Sequence, residues 1–405
     1  MSTVTWILYA VVLIGLIFDY TNGFHDSANA IATSIGTRAL RPTVALAMAA
    51  TLNVVGGLIY PTKVADTMTQ IVDHAAASQT LVLAALVGAI LWNIITWYFG
   101  IPSSSSHALI GGLIGSALTA TLAVDKVKWN AVMEKVIVPT VASPLIGFVA
   151  AGVVTTILYR LVFDAPDALE KVIVRTLAFL ILTAFITFIF SLLIGEPIEI
   201  LAKAAGHEVT LPYWWFLGIG APLAVWVMLG VIGKGPSEVN GRFRHLQTLS
   251  AGFMALEHGH NDAQKTMGII TLALMASGSV AHSEHPAVPV WVKLACAGVM
   301  GLGTFTGGKR IIKTMGMKLV KLEPIDGFAA ETVAGSVIKA AGSFGMPIST
   351  THAITAAITG VGATKRVSSV HWEITGRILT AWVLTLPAAA LMAGAAYLVL
   401  NLLPH

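Results

Sequence analysis

Two short polar motifs each occur twice in this chain, in the same order and at nearly the same spacing. The first reads GFHDSANA at 23–30 and returns as GHNDAQKT at 259–266, 236 residues later. The second reads GIPSSSSHAL at 100–109 and returns as GMPISTTHAI at 345–354, 245 residues later. Chance can produce one such pair, but two in register imply an internal duplication. The chain therefore divides into related halves, 1–160 and 246–405, joined by a linker, 161–245, that holds two further helices.

All four copies lie inside apolar stretches. Segments apolar enough to span or nearly span a bilayer run over 5–36, 42–60, 79–123, 138–159, 171–195, 212–233, 246–278, 290–307, 327–363 and 372–402. The four carrying the motifs are read as interrupted. Only 11% of residues are charged and 56% are hydrophobic, against roughly 25% charged in a soluble domain. That excludes a soluble enzyme and a disordered chain. A net charge of +4 is too diffuse for a nucleic-acid surface. The single Cys296 rules out a disulfide framework and a cysteine metal site. The stretch 6–18 has no basic residue ahead of it and reads as a first membrane helix, not a cleavable signal.

Charge placement gives sidedness. Arg38, Arg41, Arg160, Lys171, Arg175, Lys234, Arg242, Arg244, the cluster Lys309, Arg310, Lys313, Lys318, Lys321, and Lys365 with Arg366 fall on the cytoplasmic side by the positive-inside rule. The 196–211 loop (Glu196, Glu199, Glu208 against Lys203) and the 279–289 loop fall outside. Threading the chain through these constraints makes 79–123 a re-entrant hairpin turning at Pro102 and entered from outside. Segment 327–363 becomes one entered from inside. Lys126, Lys128 and Lys135 run against this assignment. The expected fold is an all-α polytopic membrane protein of two inverted-topology repeats, with broken helices and re-entrant helical hairpins. It lies in the cytoplasmic (inner) membrane with both termini outside. Inverted repeats with a midplane site on broken helices mark secondary transporters.

Each motif pairs Gly or Pro with Asp, Asn, Ser or Thr, the N-cap residues. A half-helix starting inside the membrane aims free N–H groups and a positive dipole end at a ligand. Four such N-termini converging would hold a compact oxyanion. The hydroxyls of Ser104, Ser105, Ser106, Ser349, Thr350 and Thr351 both donate and accept, which suits a partly protonated anion such as phosphate. Asp26 and Asp262 occupy matching positions, and intramembrane carboxylates are costly and functional by default. Beside an anion they call for a coupling cation, H⁺ or Na⁺. Asn29 and Gln264 add neutral contacts. Lys265 aligns with Asn29 and shares a helix face with Asp262. It can bind the anion or neutralise Asp262, and either role crowds out a sodium ion, so the balance favours H⁺.

The segments GFHDSANAIATSIGTRAL and HGHNDAQKTMGIITLAL, with the paired GIPSSSSH and GMPISTTH, resemble the PiT family of inorganic phosphate transporters over both halves. The resemblance implies an inverted-repeat helical fold, a phosphate site between the repeats and symport with Na⁺ or H⁺. It implicates Asp26, Asn29, Ser104, Ser105, Ser106, Asp262, Ser349, Thr350 and Thr351, with any sodium at Asp26, Asn29 and Asp262. His25 and Lys265 stand where many members have Asn. That resembles a bacterial branch thought to use protons and to accept metal–phosphate complexes. A sulfate-transporting branch also exists.

Other residues carry plainer expectations. His107 and His352, which follow the Ser/Thr runs, either brace the hairpin turns or act as proton switches. His258 and His260 cannot face one metal on a continuous helix. Glu257 is divided between pairing and function, and Glu331 with Lys339 forms a structural polar network. An anion channel would need a polar pore ringed by one sign of charge. A hydrolase would need an oriented nucleophile and base, which adjacent Ser106 and His107 do not provide. No Walker A motif is present. The expected partners are inorganic phosphate and the bilayer, without nucleic acid or organic cofactor, and self-association is compatible with such a chain.

Overall fold

The computed structural model describes residues 3–402 apart from 75, 163–174, 208, 232–233, 284 and scattered positions between 177 and 205. Lys171, Glu196, Lys203 and Glu208 lie outside the described residues, and the expected helix 171–195 is described only in part.

The described chain is helical. The first half contains α1 (Thr3–Gly36), α2 (Pro42–Ile59), the short α3 (Lys63–Thr69), α4 (Gln79–Phe99) and α5 (Ser105–Thr121). It ends with α6, which starts at Trp129–Val132 and passes through a π turn, Met133–Ile137, into Val138–Val162. After α7 (Leu217–Val231), the second half repeats this order. It runs α8 (Pro236–Ala276), α9 (Val290–Thr306), α10 (Lys309–Lys313, extended by a π turn, Thr314–Lys318), α11 (Pro324–Ser343), α12 (Thr350–Lys365) and α13 (Trp372–Asn401). By length and composition α1, α2, α4, α6 and α13 can each cross a bilayer, and α9 with α10 forms a further such unit bent by 59°. This is a multi-pass membrane protein.

Two expected interruptions are real and two are not. The chain does break at 100–104 and at 344–349, where helical hairpins turn. Gly100 and Gly345 sit at φ +66° and +68°, the left-handed region open to glycine, and Pro102 and Pro347 follow. Helices α1 and α8, by contrast, run unbroken through GFHDSANA and GHNDAQKT. Their glycines are crossing points instead. A Cβ on Gly23 would stand 2.3 Å from Met300 O on α9, and one on Gly259 would stand 2.2 Å from Asn53 O on α2. Small residues that let backbones touch are the usual device of membrane helix packing. The polar side chains beside them find partners on neighbouring helices, so the backbone ladder stays intact. Helix α8 also begins at Pro236, upstream of the expected boundary at 246.

The packing is reciprocal. Helix α1 packs on α9 of the other half, and α8 packs on α2. Helix α13 packs on the α4–α5 hairpin, and α6 packs on the α11–α12 hairpin. Each half also closes with the same lock. Val72 bridges Val127 and Val320 bridges Val370 in antiparallel fashion. The indole N–H of Trp129 donates to Val124 O at 2.9 Å, as that of Trp372 does to Val367 O at 2.8 Å. Helix α1 joins the main apolar clusters: Phe18 belongs to one with α4 and α5, and Ile31 to another with α11 and α12. Asp26 lies between.

Candidate functional site

The N-termini of α5 and α12 are built alike. Ser104 Oγ accepts from His107 N at 3.1 Å, and Ser349 Oγ accepts from His352 N at 3.2 Å. Each serine is thus an N-cap, as its type predicts. The hairpin tips meet between α1 and α8. Ser106 Oγ donates to Ile348 O at 3.3 Å, and Lys265 Nζ donates to Ile348 O at 2.9 Å and to Ser106 Oγ.

Each motif carboxylate reaches one tip. Ser105 Oγ donates to Asp26 Oδ2 at 2.6 Å, and Thr350 Oγ1 donates to Asp262 Oδ2 at 3.2 Å. The remaining contacts bring positive charge or its potential. His25 Nδ1 lies 2.6 Å from Asp26 Oδ1, Lys265 Nζ lies 2.5 Å from Asp262 Oδ1, and His258 Nε2 lies 3.1 Å from Asp262 Oδ2. Asn29 Nδ2 donates to Thr350 Oγ1 at 3.1 Å and to Thr351 Oγ1 at 3.0 Å, tying α1 to α12. All of these side chains are buried. Ten of the eleven expected binding residues therefore converge.

Gln264 does not. Its amide donates to Pro61 O at 2.9 Å and accepts from Val64 N at 3.0 Å, so it secures the α2–α3 connection. On a continuous helix it points away from Asp262. The four expected half-helix N-termini also reduce to the two hairpin tips, because α1 and α8 present side chains, not free N–H groups.

Donor atoms of Asp26, His258 and Asp262 lie within 4.8 Å of one another, close enough to share a small cation. Every carboxylate oxygen of that set, however, already faces a donor: His25, Ser105, Lys265 or Thr350. His260 turns the other way, to Glu257 Oε2 at 3.0 Å. His107 Nε2 lies 2.7 Å from Thr140 Oγ1, and its ring meets that of His352, itself stacked on Trp382 at 3.8 Å. That is a brace between the hairpins and the last helix of each half.

Two further clusters emerge. Glu331 on α11 accepts from Thr33 Oγ1, from Ser34 Oγ at 2.7 Å, from Gln247 Nε2 at 3.2 Å and from Ser250 Oγ at 2.5 Å. Lys339, expected beside it, instead lies over the Tyr60 ring at 3.8 Å, and Tyr60 OH donates to Glu257 at 3.0 Å. Thr33, Ser34, Gln247, Ser250 and Tyr60 escaped sequence reasoning. Their only signal was polarity inside apolar helices.

Residues 22–393 match the model of the Phosphate transporter family. This chain belongs to that family. It is 38% identical to a protein of Rhizobium meliloti named "Probable low-affinity inorganic phosphate transporter", over 98% of this chain and 97% of that one. A Bacillus subtilis protein of the same name is 36% identical, over 97% of each. Among solved structures, one titled "The sodium-dependent phosphate transporter" superposes with a TM-score of 0.82 at 25% identity, covering 98% of this chain and all of that one. Family and relatives are transporters, not enzymes.

Proposed function

We propose that this protein imports inorganic phosphate across the cytoplasmic membrane by symport with protons, through alternating access of two inverted halves. Residues 1–160 and 246–405 are the halves in this reading, with 236–245 joining the second because α8 starts there. Both termini lie outside, and the basic 309–321 stretch faces the cytoplasm.

The observation that carries it is the pairing of each hairpin tip with a carboxylate: α5 with Asp26 through Ser105, and α12 with Asp262 through Thr350. Helix N-termini with hydroxyl donors favour an anion. A phosphate entering between them brings a second negative charge against Asp26 and Asp262, and like charges at such distances cannot all stay ionised. Protonating a carboxylate removes the conflict and frees its tip for the substrate. Lys265, held between Asp262 and the opposite tip, supplies fixed positive charge for phosphate. Coupling then follows from electrostatics: neither ion is accommodated without the other.

Asn29 offers sodium a free Oδ1, since only its Nδ2 is held by Thr350 and Thr351, but at Asp26 and Asp262 a sodium ion would have to displace the donors already on the carboxylates. That favours the proton. Sulfate and metal–phosphate complexes are the neighbouring substrate readings, and an anion channel is the reading from another class.

The test is uptake of radiolabelled phosphate into proteoliposomes, driven separately by ΔpH and by a Na⁺ gradient. The expected result is saturable accumulation on ΔpH alone, lost in Asp26→Asn and Asp262→Asn while both variants still insert. Accumulation that follows Na⁺ at constant pH would overturn the proton assignment. Passive flux without accumulation would favour the channel. Competition by sulfate or by divalent cations with phosphate reports the substrate class.

A further inference from the structure

The buried acids of the described residues differ in how they are held. Asp26, Glu257, Asp262, Asp326 and Glu331 each engage two or more polar partners. Asp19 is held more weakly. It is fully buried on α1, accepts a hydrogen bond from Thr266 Oγ1 at 2.8 Å, and its other neighbour is the Cys296 thiol, a weak donor. Burying an ionised carboxylate on so little support is strongly unfavourable, whereas a carboxyl group that carries a proton suits the place.

Asp19 also heads a column. Asn22, one turn on, is buried with neither amide atom partnered, and so is Asn93 on α4, the helix packed against α1. Thr96, one turn beyond Asn93, donates to Asn93 O at 3.2 Å. Thr96 also lies 3.1 Å from His25 Nε2, and the same imidazole meets Asp26. Buried polar atoms without a protein partner are commonly met by ordered water. Asp19, Asn22 and Asp26 stand at i, i+3 and i+7, one face of the helix, and the column covers about 10 Å at 1.5 Å per residue.

We propose that Asp19 is a proton-binding residue of the transport cycle, connected to Asp26 along Asn22, Asn93 and Thr96. The inference rests on the proton-coupling reading above. In the step, the Asp19 O–H bond breaks, the proton passes down the column, and an O–H bond forms on the Asp26 carboxylate; the net charge of the pair is unchanged. The ionisable groups acting on Asp19 are Asp262 on α8 and Cys296 on α9; Lys265 pairs with Asp262, and Tyr20, His25 and Asp26 share α1. Helix α2 carries none, and α4 carries only Tyr98.

The experiment compares wild type, Asp19→Asn and Asp19→Glu in proteoliposomes, measuring ΔpH-driven phosphate accumulation and, separately, phosphate–phosphate counterflow at equal pH. Asp19→Asn is expected to lose accumulation at least tenfold while counterflow stays within about twofold, and Asp19→Glu to restore accumulation. Asp19→Asn that still accumulates on ΔpH overturns the proposal, as does a folded variant that loses counterflow too. A wild type that does not accumulate on ΔpH overturns the coupling reading itself and this inference with it. Should Asp19→Asn not fold, Thr266→Val decides. Removing the hydroxyl donor to the ionised form should move the midpoint of the pH profile of accumulation up by about one unit, and an unmoved midpoint refutes the assignment.

Discussion

Lys265→Met, read in a double-mutant cycle with Asp262→Asn, probes how the site is held together. Lys265 Nζ and Asp262 Oδ1 are 2.5 Å apart with both side chains buried. At an effective dielectric of about 20, unit charges at that separation attract by about 7 kcal/mol, much of it offset by desolvation. Removing only the lysine leaves a buried carboxylate short of a partner, which costs about 3–5 kcal/mol. The other Lys265 contacts soften the loss little: Ile348 O keeps the Ser106 hydroxyl at 3.3 Å, and Asp262 Oδ2 keeps Thr350 and His258. Replacing both residues removes both charges, so the double variant should lie within about 1–2 kcal/mol of wild type and about 1–4 kcal/mol above Lys265→Met alone; the coupling, both single costs less that of the double, is at least that large. The assay is unfolding of the purified protein in mixed micelles titrated with SDS, following helix content for all four proteins. A coupling below about 0.5 kcal/mol would mean the two charges are independent and refute the reasoning.

Gly259→Ala should cost about 1–3 kcal/mol by forcing α8 from α2. Gly298→Ala, where nothing lies within 4 Å of the added carbon, should be neutral in the same melts; equal shifts would dismiss the crossing argument. Ser104→Ala and Ser349→Ala each remove an N-cap worth about 1 kcal/mol, so each should weaken phosphate affinity by about fivefold in equilibrium binding. Unchanged binding in both would detach the hairpin N-termini from the substrate.

Much of this molecule can be read from its residues. The hairpins are legible because Gly–x–Pro followed by serines stops one helix and caps the next in any context. Asp26, Asp262 and Lys265 are legible because charge inside an apolar run has few structural excuses. The continuity of α1 and α8 is not legible. A glycine followed by polar residues looks the same whether it ends a helix or admits a neighbouring backbone, and only Met300 and Asn53, far off in sequence, decide between them. Gln264 misled for the same reason: its helix face depends on that continuity. Glu331 gathers donors from α1 and α8 that no local pattern joins, and Asp19 lies in a stretch that otherwise reads as plain membrane helix.

The exchange of partners between the halves bears on how the chain comes to be made. The α4–α5 hairpin leaves the ribosome early, yet the helix it packs on, α13, is made after every other helix described above. Contacts that close so long a loop form late. The serines of the first tip therefore wait, unsupported on that flank, until α13 has been made. A chain truncated before residue 372 would contain every residue named in the binding site and still lack the helix on which the hairpin of Ser104, Ser105 and Ser106 packs.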